Sequence, residues 1–221
     1  MLAPVLARVD TVEIERAVVE AVQILRPRVE RVFADSRSRI HIEDARTFFS
    51  LRGGRYDMIV SEPSNPWVSG VAMLFTQEFY GQMTQFLNRG GLLVQWLQLY
   101  EIDEELVWSI LKAFAAHFPH YRLYRTDSAN VLIVGSRSEI RAASFNSLFG
   151  NATLAAALER VGVRGAEDVN ARMIGDEITI KPLLNRHAIH ANSDYRPVLD
   201  QQAVKARFLR RNAAALLNLH K

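Results

Sequence analysis

The fold is decided by the stretch Tyr56-Asp57-Met58-Ile59-Val60-Ser61-Glu62-Pro63-Ser64-Asn65-Pro66. Its first six residues, Tyr56–Ser61, are rich in apolar and β-branched side chains and predict a strand. Proline, glycine, serine and asparagine are concentrated in residues 62–72, which predicts a loop. The strand therefore ends directly before an acidic side chain, Glu62, which makes this residue the first candidate for chemistry.

Strands and helices alternate on both sides of this stretch, over residues 9–136. The predicted strands are residues 9–14, 39–42, 56–61 and 91–96, and the predicted helices are residues 16–26, 45–51, 75–87 and 103–117. Residues 120–125 and 131–135 predict an antiparallel hairpin that closes the sheet. Alternation of this kind is typical of an α/β protein with a mainly parallel sheet that helices cover on both faces.

Polar side chains recur where the predicted strands end, and this edge is where such sheets bind ligands. The residues concerned are Glu13, Asp44, Glu62, Asn65 and Gln95. Acidic and amide groups collected at one edge suit a cationic or hydroxyl-rich small molecule. From about residue 138 the sequence becomes rich in alanine, leucine and arginine and predicts mostly helix, with a loop near residues 192–197.

Four blocks of the chain resemble the spermidine synthases, which are polyamine aminopropyltransferases with the fold of S-adenosylmethionine-dependent methyltransferases. Besides the opening stretch, the blocks are Val12-Glu13-Ile14-Glu15, Glu43-Asp44-Ala45 and Leu74-Phe75-Thr76-Gln77-Glu78-Phe79-Tyr80, and residues 90–95 continue the match. The resemblance covers roughly residues 9–136. The form Glu62-Pro63-Ser64-Asn65-Pro66-Trp67 and residues 192–199 are most similar to spermidine-synthase-like domains fused to membrane segments.

The resemblance implies a methyltransferase-like Rossmann sheet in residues 1–137, followed by a helical C-terminal extension in residues 138–221. It also implies a departure, because the glycine-rich loop after the family's first strand has no counterpart here. We therefore expect either a fragment of a longer protein or a sheet that is completed in an unusual way. Strand edges left without a neighbour favour self-association, and we expect a homodimer.

The resemblance assigns Glu13, Asp44 and Ala45 to the nucleoside of decarboxylated S-adenosylmethionine. Glu13 matches the residue that binds both ribose hydroxyls, and a carboxylate at a strand end can accept two hydroxyl protons. Asp44 matches the residue that accepts from the adenine amino group. Two simpler interpretations stay open: Glu13 as an exposed strand-end charge, and Asp44 as the N-cap of the helix that follows.

The resemblance gives Glu62 the place of the catalytic aspartate, Asn65 the place of a second, substrate-binding aspartate, and Gln95 the place of a substrate-side glutamine. Glutamate is one methylene longer than aspartate, and asparagine removes a charge, so both differences weaken the match for a dicationic acceptor. Asn65 also fits a turn before Pro66. No metal is expected.

The implied function is transfer of an aminopropyl group from decarboxylated S-adenosylmethionine to a diamine such as putrescine, in polyamine biosynthesis. The alternatives are a methyltransferase that uses S-adenosylmethionine and a non-catalytic domain that senses a nucleoside. Calorimetry with the corresponding ligands distinguishes these three functions.

Composition excludes several other classes of protein. The 221 residues contain no cysteine, which excludes disulfides and thiol catalysis, and 49% are hydrophobic, which excludes wholesale disorder. The net charge of +3 comes from scattered arginines and predicts no nucleic-acid partner. No apolar run is long enough to cross a bilayer. We expect a cytoplasmic protein, although the resemblance allows a membrane segment in a longer parent.

Overall fold

The computed structural model describes residues 6–24, 30–140 and 150–219. The chain divides into two compact units, Met1–Gly54 and Arg55–Lys221. The described elements of the first unit are β1 (Val9–Glu13), α1 (Arg16–Ile24), α2 (Glu30–Ala34), β2 (Ser38–Ile42) and α3 (Ala45–Arg52).

The first unit contains a two-stranded parallel sheet. β1 and β2 pair from Val9 opposite Ser38 to Glu13 opposite Ile42. The side-chain Oδ1 of Asp10 in β1 accepts a hydrogen bond from the ring Nε2 of His41 in β2 at 2.9 Å, and this bond ties the strands together. Because the strands are parallel, their carboxyl ends lie at one edge, where α3 begins.

Helix α1 forms where the sequence predicts it, but it contributes no buried residue. The side chain of Ile24 is 83% exposed, and Val18 is also exposed. The apolar spacing therefore predicted the helix correctly, although none of the residues of α1 is buried in the described structure.

The second unit contains a five-stranded sheet with helices. Its elements are β3 (Tyr56–Ser61), a 3-10 turn (Val71–Phe75), α4 (Gln77–Gln85), β4 (Leu87–Gln98), α5 (Glu104–Ala115), β5 (His120–Arg125), β6 (Asn130–Ser136), α6 (Ala152–Arg160), α7 (Ala166–Asn170), β7 (Met173–Asp176), α8 (Glu177–Arg186), α9 (Val198–Phe208) and a last 3-10 turn (Ala214–Asn218). The strand order is β3-β4-β6-β5-β7.

The pairing of the strands corrects the expectation of a mainly parallel sheet. In the described residues β1 with β2 and β3 with β4 are parallel. The pairs β4 with β6, β5 with β6, and β5 with β7 are antiparallel. The predicted hairpin of β5 and β6 is confirmed. The difference comes from the other two antiparallel pairs, since β6 inserts beside β4 and β7 adds to the free edge of β5.

One face of the five-stranded sheet forms the core with α5. Alternate residues of β4 and β6, among them Leu93, Leu97 and Ile133, are fully buried. Helix α5 buries eight of its residues, since α4, α8 and α9 all pack against it. This core fixes the carboxyl ends of β3 and β4.

Two boundaries differ from the sequence prediction. Helix α4 ends at Gln85, and Leu87, predicted on its apolar face, is instead the buried first residue of β4. Gly90 inside β4 has a φ of 75°, which glycine adopts without strain, and the register against β3 shifts there. A glycine pair that suggests a helix end thus lies within a strand.

The predicted helical extension contributes a strand to the sheet. β7 pairs with β5, with Arg122 opposite Asp176 and Leu123 opposite Gly175. Four residues are too short a run for a strand signal in sequence.

The division into residues 1–137 and 138–221 stays a prediction. No helix in the described ranges is both long and apolar enough to span a membrane.

Candidate active site

Glu13 and Asp44 lie at neighbouring strand ends in the first unit. Glu13 is the last residue of β1, and its backbone oxygen accepts from Glu43 N–H at 3.1 Å. Its side-chain Oε1 accepts from Glu15 N–H at 2.9 Å. This local bond fixes one carboxylate oxygen and leaves Oε2 for a hydroxyl ligand.

Asp44 is the N-cap of α3. Its Oδ1 accepts from Thr47 N–H at 2.9 Å, and its backbone is extended, with φ −65° and ψ 137°. The simpler interpretation of Asp44 is therefore present in the structure, and it is compatible with a ligand role because Oδ2 makes no bond in the cap. Ala45 opens the helix, where backbone N–H groups lack helical partners.

Glu62 follows the last residue of β3 in the second unit and is exposed. Within the described part of the chain its carboxylate makes no hydrogen bond or ion pair. Being exposed and negatively charged, it could bind a cationic group of a ligand. The sequence predicted this position from the end of the strand.

Asn65 joins the loop after β3 to the loop after β4. Its half-buried Oδ1 accepts from Tyr100 Oη at 3.4 Å, and its backbone oxygen accepts from Val68 N–H at 2.9 Å. The second bond is the turn that the sequence suggested. The first fixes the loop beside Glu62 against the end of β4.

Gln95 is fully buried, and its amide is bonded within the protein. Nε2 donates to Trp96 O at 2.9 Å and to Ser61 O at 3.3 Å, while Oε1 accepts from Tyr80 Oη at 3.4 Å. Burial raises the pKa of Tyr80 well above its usual value, so its hydroxyl stays a donor. Gln95 thus holds the residue that precedes Glu62.

A second set of contacts, missed by the sequence analysis, fixes the start of α4. Glu78 accepts from Ser193 Oγ at 2.7 Å and from Asp194 N–H at 2.8 Å. Buried Asn192 donates to Ala72 O and Phe75 O at 3.2 and 3.1 Å. The blocks around residues 74–80 and 192–199 were both singled out in the sequence, but their separation of more than 100 residues concealed the contact.

Burial would raise the pKa of Glu78, but hydrogen bonds from Asp194 N–H and Ser193 Oγ outweigh it and hold that pKa below its usual value. The side chain is therefore a carboxylate at neutral pH and is fully engaged in the structure. This distinguishes it from Glu62, whose carboxylate has no hydrogen-bond or ion-pair partner among the described residues.

The structure thus collects the sequence candidates at two strand edges. Glu13, Asp44 and Ala45 lie at the strand edge of the first unit, and Glu62 and Asn65 follow the end of β3 in the second. Gln95, expected at a strand end, is instead buried inside β4 opposite Ser61, because β4 continues to Gln98. In the described residues no group of three side chains is arranged to hold a metal ion.

Two solved structures share this fold. A probable spermidine synthase from Corynebacterium glutamicum aligns with a TM-score of 0.54 at 22% identity, covering 85% of this chain and 63% of that one. The spermidine synthase from Thermotoga maritima aligns with a TM-score of 0.50 at 19% identity, covering 61% and 47%. The class of protein is therefore α/β, with the fold of these two spermidine synthases.

Sequence comparison identifies the family. Residues 3–133, more than half of the chain, match the family model of the spermine/spermidine synthase domain. A polyamine aminopropyltransferase from Clostridium botulinum is 30% identical over 126 residues, which are 52% of this chain and 44% of that protein. One from Caldicellulosiruptor bescii is 29% identical over 113 residues, 51% and 40% of the two chains. The chain belongs to the spermine/spermidine synthase family, and it matches less than half the length of these two relatives.

Proposed function

We propose that this chain transfers an aminopropyl group from decarboxylated S-adenosylmethionine to an amine such as putrescine, in polyamine biosynthesis. The observation that carries the proposal is the carboxylate of Glu62, which has no partner among the described residues, directly after β3 in a chain of this family. The names of the curated relatives, polyamine aminopropyltransferases, support the reaction class.

The chemistry requires a carboxylate at this place. The lone pair of the acceptor nitrogen attacks the carbon bound to the sulfonium, a C–N bond forms, and the C–S bond breaks. The electron pair of the C–S bond stays on sulfur, and methylthioadenosine leaves. A primary amine has a pKa of about 10.4 and is protonated at neutral pH. In the proposal Glu62 binds the ammonium, accepts one proton and holds the nitrogen in line with the C–S bond.

The nucleoside is proposed to bind at the edge of the first unit. Glu13 Oε2 accepts from the ribose hydroxyls, and Asp44 Oδ2 accepts from the adenine amino group. Local hydrogen bonds to the other oxygen of each carboxylate support this proposal, because they orient both groups before the ligand arrives. The backbone N–H of Ala45 is the proposed donor to the base.

Asn65 and Gln95 are proposed to serve the acceptor in different ways. Asn65 presents an amide beside Glu62, in the same loop. Gln95 is proposed as a positioning residue. Its buried amide donates to the backbone oxygen of Ser61, and this bond helps to fix the backbone position of Glu62, the next residue. A homodimer and a cytoplasmic location stay predictions.

The proposal predicts that Glu62→Gln lowers turnover by roughly 100-fold or more, because the change removes the charge and the base while keeping the shape. The measurement is methylthioadenosine release by the full chain with putrescine and decarboxylated S-adenosylmethionine. Glu62→Asp restores the family residue and should retain activity.

Asp57→Asn is the matched control for this variant. Asp57 lies near the start of the same strand, where its carboxylate accepts from Asn88 Nδ2 at 2.8 Å. The control should leave turnover within about twofold of the parent, since the start of a strand lies away from the ligand edge. Full turnover in Glu62→Gln would show that another group accepts the proton.

A further inference from the structure

The outer side of α9 carries large apolar side chains that are exposed in the described structure. The opposite side of the helix faces the core, where Ala203 and Ala206 are fully buried. Phe208 is 86% exposed, and Val204, one turn earlier on the same side, is 59% exposed. Leu209, directly after the helix, is 46% exposed. We refer to Val204, Phe208 and Leu209 as the α9 patch, and clustered exposed apolar side chains of this kind mark interaction surfaces.

Positive charge lies beside the α9 patch. Lys205 lies between the residues of the patch along the helix, and Arg210 directly follows them. Both cations are exposed, and within the described residues neither forms an ion pair. The nearest acidic residue along the chain is Asp200, in the first turn of α9, and residues 201–221 contain no acidic residue. The other two arginines of this segment are not counted, because each already lies against a carboxylate: Arg207 against Glu101, and Arg211 against Asp103.

The turn that ends α9 holds Arg210 in a backbone conformation that favours glycine. Arg210 has a φ of 50°, and its N–H donates to Arg207 O at 2.9 Å, while Arg211 N–H donates to Ala206 O at 3.0 Å. These two bonds close the common helix-ending turn, in which glycine usually takes the left-handed position. An arginine there adds backbone strain that glycine avoids, and the turn itself makes no use of the guanidinium. The strain therefore points to a role of Arg210 outside the fold.

A surface with an apolar centre and unpaired cations beside it is complementary to an anionic lipid bilayer. Aromatic and aliphatic side chains insert below the lipid headgroups, while the long stems of lysine and arginine let their charged ends reach the headgroup anions. The aliphatic side chains of Val204 and Leu209 offer no ring on which a nucleic-acid base stacks. Because α9 packs against α5 with its inner side, only its outer side can approach a partner, which suits a flat surface better than a deep groove.

We propose that the α9 patch, together with Lys205 and Arg210, binds the surface of a bilayer that contains anionic lipids. Phe208 is the main apolar anchor, since it is the most exposed residue of the patch. The helix lies on the bilayer surface and does not cross it. The proposal is independent of the proposed aminopropyl transfer, because none of these residues belongs to the candidate active site.

The test is sedimentation of the full chain with vesicles of about one third phosphatidylserine and two thirds phosphatidylcholine, and with vesicles of phosphatidylcholine alone. The anionic vesicles should bind at least about tenfold more tightly, because each unpaired cation contributes about fivefold near an anionic surface. Phe208→Ser should weaken this binding by at least about tenfold, since it removes the largest apolar group. Arg210→Gly should weaken it by about fivefold without lowering the thermal unfolding midpoint, because glycine relieves the strain of the turn.

Ile178→Ser is the matched control. Ile178 on α8 is 77% exposed, but it follows two acidic residues, Asp176 and Glu177, so it should not contribute to binding an anionic surface. Equal binding to both kinds of vesicle, binding to neither, parent-like binding of Phe208→Ser or Arg210→Gly, or an equal loss in Ile178→Ser would each overturn the inference. So would a dimer, seen by light scattering without vesicles, that Phe208→Ser abolishes, because the patch would then bind a second copy of the chain.

Discussion

The carboxylates at the first strand edge are directed by bonds to their own loops. Glu13 accepts a hydrogen bond from Glu15 N–H, and Asp44 accepts one from Thr47 N–H. One oxygen of each carboxylate is therefore used in a local hydrogen bond. A group held in this way loses little rotamer freedom when a ligand arrives. Local capping and ligand binding are compatible at both residues.

If Glu13 binds the ribose, Glu13→Gln weakens methylthioadenosine binding by about 1–3 kcal/mol, the range for a hydrogen bond to a charged group. Calorimetry with the full chain measures this change. Glu20→Gln, an exposed position on α1, is the control and should bind like the parent. Equal affinities for Glu13→Gln and the parent would remove the ribose role.

For single residues, the sequence predicts where a side chain lies along a strand or helix better than it predicts the hydrogen-bond partner of that side chain. The places of Glu13 and Glu62 follow from where apolar runs end, which is local information. The hydrogen bond between Tyr100 and Asn65 spans 35 residues, and that between Ser193 and Glu78 spans 115. Such contacts depend on how the elements pack, so no local pattern reveals them.

The start of α4 shows how one element is fixed by a distant loop. Thr76 caps the helix by accepting from Phe79 N–H, and Glu78 in the first turn receives donors from Ser193 and Asp194. A carboxylate in the first turn also interacts favourably with the helix dipole. These bonds hold residues 192–194 against the helix.

Because the folded pKa of Glu78 lies below its usual value of 4.5, the carboxylate stabilises the fold above about that pH. The contribution disappears as the pH falls through the folded pKa. Glu78→Gln should lower the free energy of unfolding by about 1–3 kcal/mol at pH 7, and by much less near pH 3. Denaturant titrations at both pH values measure the difference.

Glu159→Gln on α6 is the control for Glu78, because its side chain is exposed. It should change stability by less than about 0.5 kcal/mol at either pH. A destabilisation of Glu78→Gln that stayed the same at pH 3 and pH 7 would contradict the assigned role of the carboxylate.

The elements themselves were largely predictable. The strands at Tyr56–Ser61 and His120–Arg125 and the helix α5 lie where apolar periodicity, caps and glycines indicate. β7 was missed because an edge strand of four residues is defined by its partner β5 rather than by its own sequence. The antiparallel direction of the β5–β6 hairpin was predictable, whereas the pairing of β6 with β4 and of β7 with β5 depends on how the elements pack.

At the scale of the whole molecule the chain consists of two compact units, each with a set of candidate residues at a strand edge. The family match begins in the first unit and ends in β6 of the second. The C-terminal residues beyond the match supply β7, the loop bound to Glu78, and Arg207. Sequence similarity therefore supports the proposed reaction, and the residues beyond the match complete the sheet and the surroundings of α4 in the second unit.

The proposed reaction requires that the chain bind decarboxylated S-adenosylmethionine as its aminopropyl donor. The most direct measurement is calorimetric titration of the full chain with that compound, with S-adenosylmethionine and with methylthioadenosine. We expect decarboxylated S-adenosylmethionine and methylthioadenosine to bind, and both to bind more tightly than S-adenosylmethionine. Preferential binding of S-adenosylmethionine would favour a methyltransferase. Binding of none of the three compounds would contradict the proposed aminopropyl transfer.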